Sequence, residues 1–261
     1  MKKVMIYILI LVVGGLLSFL IYLDQTKVEP RILTIDTAYV VMDDRPSLKI
    51  PIYMMGKNHP LIYIDGIENV SLNHVTKDEK MNVELINIDY HGTESYLNQT
   101  YEIYIYDLSL PSFDQTIMMD DVKLSINLKN GTSFALSIGK VSISPSKPLE
   151  GHLDWSLLSG IKVDQSIFER VGCVEIGFYT LKHEIKGFFN GFTFSESFQI
   201  KDDTLYLYFD DEPYIYQSFP IEIMFIDGTS QMIPYFMYMK SYQLLKMSGP
   251  LIHTYDLNPS F

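Results

Sequence analysis

"LSINLKNGTS" at Leu124–Ser133 and "IEIMFIDGTS" at Ile221–Ser230 decide the fold, because both combine the same alternation with the same turn. Apolar residues occupy every second position before the turn, which is the pattern of a half-buried β-strand. When Gly131 is aligned with Gly228, four of the ten positions are identical. We therefore expect the chain to contain two copies of one β-unit.

The residues around Gly131 also predict the type of turn. A three-residue loop, Lys129–Gly131, places Ile126 opposite Phe134, whereas a two-residue loop places apolar residues opposite serines. In the longer loop the third residue needs a positive φ, which glycine adopts without steric cost. The same turn is predicted around Gly228.

A second correspondence lies upstream, between "YEIYIYD" at Tyr101–Asp107 and "TLYLYFDD" at Thr204–Asp211. Further strands are predicted at Ile32–Met42, Leu48–Met54, Met81–Ile88, Arg170–Tyr179 and Phe192–Ile200. Short strands at roughly ten-residue spacing without helical periodicity are typical of β-sandwiches. The predicted fold class is all-β, with two tandem immunoglobulin-like β-sandwich domains. "SPSKPLEG" at Ser144–Gly151 predicts the boundary, giving domains at residues 32–146 and 147–261.

The first residues predict a membrane anchor. An uncharged apolar run extends from Val4 to Leu23, and twenty helical residues span about 30 Å, the thickness of the hydrocarbon core. No small-residue cleavage site follows the run, which favours an uncleaved signal anchor over a signal peptide. Lys2 and Lys3 precede it, so the positive-inside rule predicts a cytoplasmic N-terminus. The expected arrangement is a cytoplasmic tail at residues 1–3, a transmembrane helix at 4–23, a linker at 24–31 and extracytoplasmic domains.

Charge and cysteine content limit the partners. The net charge of −12 disfavours nucleic acid, whose phosphates an acidic surface repels. Cys173 is the single cysteine, so an intrachain disulfide and a paired-cysteine metal site are impossible. It lies in "RVGCVEIGF", where we expect a buried strand residue. The expected partners are the membrane, through the N-terminal helix, and another envelope or membrane protein.

No motif predicts catalysis, a metal or a cofactor. The six histidines are scattered, and no nucleophile elbow, Walker loop or dinucleotide fingerprint is present. Paired acids recur at Asp43–Asp44, Asp120–Asp121, Asp202–Asp203 and Asp210–Glu212. Calcium prefers such oxygen ligands, but the EF-hand spacing is absent and solvated loop acids are the commoner explanation.

Tyrosines on the two matched strands are the candidate ligand-binding residues. Alternation makes Ile103, Ile105, Leu205 and Leu207 point one way and directs the tyrosines to the opposite face, where they could form a binding platform. Tyrosine offers a large contact area with little entropy to lose. The predicted site therefore consists of Tyr104, Tyr106, Tyr206 and Tyr208. The alternative is that tyrosine is simply a good strand former, here half covered by a neighbouring loop or sheet.

These features favour a non-catalytic, membrane-anchored binding or accessory module of a bacterial, Gram-positive-type cell envelope. One alternative is an accessory or sensory subunit that depends on a membrane partner, because a three-residue tail is too short to signal. The other is an envelope hydrolase whose carboxylates meet only in the fold, in a cleft and about 5–10 Å apart.

Overall fold

The computed structural model of the chain describes residues 14–15, 30–42, 46–56, 59–75, 77, 79–145, 151–162, 171–209, 219–236 and 244–257. Almost all regular structure within them is β-strand, so the predicted all-β class is confirmed. The first eight strands are β1 (Arg31–Ile35), β2 (Thr37–Met42), β3 (Ser47–Met54), β4 (Ile67–His74), β5 (Lys80–Tyr96), β6 (Gln99–Ser109), β7 (Ile117–Leu128) and β8 (Ser133–Ser144).

The second half of the chain contributes shorter strands. They are β9 (Leu153–Lys162), β10 (Val171–Leu181), β11 (Ile185–Phe189), β12 (Phe194–Ser195), β13 (Phe198–Lys201), β14 (Thr204–Tyr208), β15 (Phe219–Phe225), β16 (Ser230–Phe236) and β17 (Ile252–Asp256). One short helix, α1 (Leu244–Ser248), precedes β17, and short 3-10 turns occur at Pro60–Ile62, Ile64–Gly66 and Gly249–Leu251.

The first sandwich is formed by two layers that share β5. One layer has the strand order β1-β3-β6-β5, and the other has β5-β4-β7-β8-β2. The beginning of β5 pairs with β4, at Val83 and Val70, and its remainder pairs with β6 from Glu84 onward. The enclosed core is mainly aliphatic, with Leu72, Leu124 and other fully buried side chains from both layers.

The predicted strand Ile32–Met42 is divided at Asp36, because the chain changes layer there. β1 pairs antiparallel with β3, whereas β2 pairs parallel with β8, where Thr37 lies opposite Gly139. The Thr37 backbone lies so close to Gly139 that a Cβ there would clash with it. The predicted strand Phe192–Ile200 is divided for the same reason, since β12 and β13 belong to different sheets.

The second sandwich has two four-stranded layers, β9-β10-β14-β13 and β12-β11-β15-β16. This order matches the first sandwich except for β2, which has no counterpart beside β16, and β6, β7 and β8 correspond to β14, β15 and β16. It is the ABED and CFG arrangement of immunoglobulin-like sandwiches, with a further strand beside C. The stretches that first suggested the repeat therefore lie in equivalent hairpins.

Both hairpins have the predicted three-residue turn. Ile126 pairs with Phe134, and the Leu128 amide donates to the Thr132 carbonyl across the loop. Gly131 has a φ of +88° and Gly228 a φ of +86°, as the third loop position requires. The loop residue before each glycine also has the same role, since Asn130 and Asp227 accept a hydrogen bond from the amide two residues later.

The last residues form a strap, defined here as residues 244–257, that returns to the first sandwich. β17 pairs antiparallel with β1 along its whole length. His253 Nε2 lies 2.8 Å from Asp36 Oδ2, and the Lys246 amide donates to Glu94 at 3.2 Å. The division of the chain at residues 146 and 147 stays a prediction, and the strap connects the second half to the first.

The two sandwiches share a second hydrophobic core. Leu33, Tyr53 and Tyr101 point outward from the first sandwich. They belong to the same buried cluster as the interior of the second. Gly191, between β11 and β12, lies where a Cβ would be 2.5 Å from Val40 Cγ1. The sandwiches therefore pack directly against each other.

The predicted transmembrane segment, Val4–Leu23, lies outside the described residues except for Gly14 and Gly15. No helix within the described part of the chain has the length and apolar character needed to cross a bilayer.

Candidate functional site

The orientation predicted for the first pair of tyrosines is wrong. Tyr106 is fully buried and donates to the Leu61 carbonyl at 2.5 Å, and Tyr104 is 8% exposed and donates to Glu102 at 2.7 Å. Burial raises the pKa of both phenols above their usual range. These two side chains face the first core, whereas Ile103 packs against the second. β6 carries apolar residues on both faces, because one face is buried in the first core and the other is partly buried.

The second pair is oriented as predicted. Leu205 and Leu207 are fully buried in the core, while Tyr206 is half-buried and Tyr208 is 41% exposed. They lie on the outside of the layer β9-β10-β14-β13. Ligand binding by Tyr206 and Tyr208 stays a prediction.

The strand register defines a surface around this pair, which we call the outer face. Its rows run from β13 or β14 to β9 and consist of Tyr208–Cys173–Ile161, Gln199–Tyr206–Glu175–Ser159 and Lys201–Thr204–Gly177–Leu157. Leu157 is 58% exposed and Ile161 is 45% exposed, although both are aliphatic. Aromatic and aliphatic side chains thus lie beside hydrogen-bonding groups on one side of the sheet.

The middle of the outer face is polar and ordered. Ser159 donates its hydroxyl to Glu175 at 2.8 Å. Cys173 lies between Ile161 and Tyr208 and is buried, as predicted. Burial raises the pKa of the Cys173 thiol, and the Glu175 carboxylate raises it further, which keeps the thiol protonated and unreactive.

An imidazole pair lies at one end of the second sandwich. The rings of His152 and His183 are 4.7 Å apart, and His183 Nδ1 lies 2.7 Å from Asp227 Oδ2. Hydrogen bonds from Thr229 lower the pKa of Asp227, and the neighbouring imidazoles lower it further. No group of three or more metal-ligating side chains within the described part of the chain has the geometry to hold an ion.

Two of the four acidic groups contain residues with conformational roles. Asp202 and Asp203 form the two-residue loop between β13 and β14, with φ values of +48° and +56°. Aspartate tolerates this left-handed conformation better than most residues. Asp121 has a φ of +47° at a bulge in β7. The acids at 43–44 and 210–212 lie outside the described residues.

A cleft of about 530 Å³ lies where the strap meets the outside of the first sandwich; we call it the junction cleft. Its floor is apolar, with Pro51, Ile103 and Ile105 from β3 and β6. Tyr53 and Leu244 also line the cleft. The remaining lining residues are charged or polar: Lys49, Asp89, His91, Thr93 and Glu94.

Glu94 is the buried carboxylate of the junction cleft. The residue is 6% exposed and accepts from the first amides of α1, including that of Lys246. Burial raises the pKa of the Glu94 carboxyl above its usual range, although hydrogen bonds from the amides of α1 oppose that shift. Two carboxylates, those of Asp89 and Glu94, line this cleft, and the hydrolase hypothesis needs a pair in one cleft. The bonding of Glu94 to α1 favours a structural role instead.

Sequence reasoning missed the junction cleft and the imidazole pair. Glu94 contacts Lys246 across 152 positions, so no local pattern indicates the contact. His152 and His183 are 31 positions apart in the sequence and come close together only in the folded chain. The apolar outward positions Leu157 and Ile161 were the available signal for the outer face.

Comparison with known proteins adds no family. No protein-family model matches the chain, and no curated protein matches it at a significant level. Among solved structures, it is similar to SGBP-B of the Bacteroides ovatus mixed-linkage glucan utilization locus, in complex with a mixed-linkage heptasaccharide, at 11% identity and a TM-score of 0.22. That match covers 73% of this chain and 39% of that protein, so the chain spans about two fifths of its length.

Two other solved structures are also similar to the chain. The D00-D0 domain of intimin is 9% identical, with a TM-score of 0.23, and the match covers 80% of this chain and 100% of that one. A titin fragment of three immunoglobulin domains is 11% identical, with a TM-score of 0.24, and the match covers 78% and 63%. At these scores the assignment of the fold rests on the strand order itself.

Proposed function

We propose that the chain is a single-pass, membrane-anchored binding or accessory module of a bacterial cell envelope. Its two immunoglobulin-like sandwiches lie on the extracytoplasmic side and act without bond chemistry. The observation that carries this proposal is the outer face of the second sandwich, where Leu157, Ile161 and Tyr208 are each more than 40% exposed. Exposed apolar patches with polar neighbours mark interaction surfaces in soluble domains.

The N-terminal sequence supports the location. A run from Val4 to Leu23 long enough to cross a bilayer follows Lys2 and Lys3, which favours retention of the N-terminus in the cytoplasm. Both sandwiches then lie outside the cell. The absence of disulfides requires their stability to come from packing, which the shared core supplies.

The outer face suits recognition by contact. Tyr206 and Tyr208 offer rings whose conformations are limited by the strand, so little entropy is lost on binding. Glu175, Ser159 and Gln199 provide hydrogen-bonding groups beside them. This combination fits a polyhydroxylated glycan or an extended peptide.

The test compares capture of purified cell-wall glycan and of solubilised membrane protein by the full-length chain and by single variants. Tyr206→Ala and Tyr208→Ala each remove a ring from the outer face. Tyr90→Ala is the matched control, because Tyr90 is 58% exposed and lies on β5 of the first sandwich, away from the outer face. We expect capture to fall at least about tenfold for the first two variants and to stay unchanged for the control. Equal capture by all three variants would contradict the proposed face.

The accessory-subunit hypothesis makes a different prediction. If the helix and the first sandwich hold a membrane partner, deleting residues 1–23 abolishes co-purification of that partner while glycan capture persists. If the outer face is the binding surface, both deletion and full-length chains capture the same ligand.

A further inference from the structure

We propose that the junction cleft binds an ammonium group carried on an unbranched alkyl chain. This site lies on the first sandwich and is independent of the outer face. The shared chemistry is that of a free alkylamine or of a lysine side chain in a peptide.

The shape and floor of the cleft fit an alkyl chain. Pro51 and Ile105 pair directly across β3 and β6, and Ile103 lies two residues along β6 on the same face. Adjacent strands are about 4.8 Å apart, so these side chains form a continuous apolar strip. Leu244 of α1 also lines the cleft. The volume of about 530 Å³ accommodates a chain of several methylenes.

The charge of the cleft selects a cation. Asp89 pairs with Ile105 in the register, so its carboxylate stands beside the apolar strip. Lys49 is the one ammonium among the described lining residues, and its Nζ lies 3.7 Å from Asp107 Oδ2, which balances it. Glu94 is bonded to α1. Asp89 is therefore the carboxylate placed to receive a ligand ammonium, and its exposure makes the attraction moderate.

Anions are disfavoured by the same arrangement. A ligand carboxylate on the apolar strip would approach Asp89 and Glu94, and like charges repel. A neutral alcohol of the same length keeps the apolar contact but gains no charge attraction. These differences allow the two contributions to be separated experimentally.

The test uses the full-length chain labelled at isoleucine methyl groups and titrated with n-pentylammonium, n-pentanol and n-pentanoate in nuclear magnetic resonance experiments. We expect saturable shifts of the Ile103 and Ile105 methyl signals, with pentanol binding about fivefold more weakly than pentylammonium and pentanoate more weakly still. Gly-Lys-Gly peptide distinguishes the source. Shifts with the peptide as strong as with the free amine indicate a lysine side chain, and shifts with the amine alone indicate a small molecule.

Asp89→Asn supplies the variant. The substitution is conservative and the residue is exposed. Asp89 accepts a hydrogen bond from the Asn87 side-chain amide, and the side-chain oxygen of an asparagine can still accept it. We expect about fivefold weaker binding of pentylammonium and unchanged binding of pentanol. Asp154→Asn, an exposed acid on β9, is the matched control and should change neither. Equal affinities for the ammonium and the alcohol, or no saturable shift with either, would overturn the proposal.

Discussion

The layers β1-β3-β6-β5 and β9-β10-β14-β13 hold the same place in the two sandwiches, yet their outward surfaces have different surroundings. In the first sandwich, Leu33, Tyr53 and Tyr101 are at most 4% exposed, because the second sandwich and the strap pack on them. In the second, Leu157, Ile161 and Tyr208 are 41% to 58% exposed. In the first repeat this surface forms the interface between the sandwiches, and in the second it is exposed.

Truncation on the covered surface has the largest expected effect on stability. Tyr53→Ala removes a ring that is 1% exposed in the shared core. Loss of a buried aromatic side chain costs about 3–5 kcal/mol of the free energy of unfolding. Urea unfolding of the full-length chain measures the change, and a loss below about 1 kcal/mol would show that the two sandwiches do not share a packed core.

A pair of glycines isolates the contact between the sandwiches. Gly191 and Gly228 have φ values of +92° and +86°, so Gly→Ala carries a similar backbone cost at each. A new Cβ at Gly191 meets Val40, whereas one at Gly228 has no neighbour within 4 Å. We expect Gly191→Ala to be more destabilising by about 1–3 kcal/mol. Equal losses in denaturant melts would contradict close packing at Val40.

The contact between Glu94 and the strap predicts that the free energy of unfolding depends on pH. The folded pKa of Glu94 is raised, so the folded chain binds this proton more tightly than the unfolded chain does. The proton linkage therefore favours folding below the unfolded pKa, and that contribution is lost as pH rises through the folded pKa. Glu94→Gln keeps an acceptor but has no proton to lose. We expect the wild type to lose stability relative to Glu94→Gln between about pH 4 and pH 7. A constant difference across that range would place Glu94 in a solvated position.

Truncation on the open surface has the smallest expected effect on stability. Tyr208→Ala should change the free energy of unfolding by less than about 1 kcal/mol, because much of the ring is already in water. Its contrast with Tyr53→Ala, measured in the same unfolding experiment, sharpens the comparison of the two surfaces. Similar losses for both variants would mean that the open surface is also buried.

Local patterns predicted the hairpins but could not predict the interface between the two sandwiches. The turns at Gly131 and Gly228 follow from residues within ten positions of each other, and both were correct. β14 has one buried face, so alternation oriented Tyr206 correctly. β6 has apolar residues on both faces, and the tyrosine face is the one in the first core, so the same alternation oriented Tyr106 wrongly. Which face a second domain covers depends on contacts between distant parts of the chain.

Cysteine labelling at Leu157 in intact cells tests the central claim most directly. Cys173 is buried, so the wild type supplies the unlabelled background, and Leu157→Cys places one thiol on the outer face. A membrane-impermeant maleimide should label Leu157→Cys in intact cells as fully as in lysed cells. Labelling only after lysis would place the domains inside the cell, and no labelling in either sample would show that the outer face is covered.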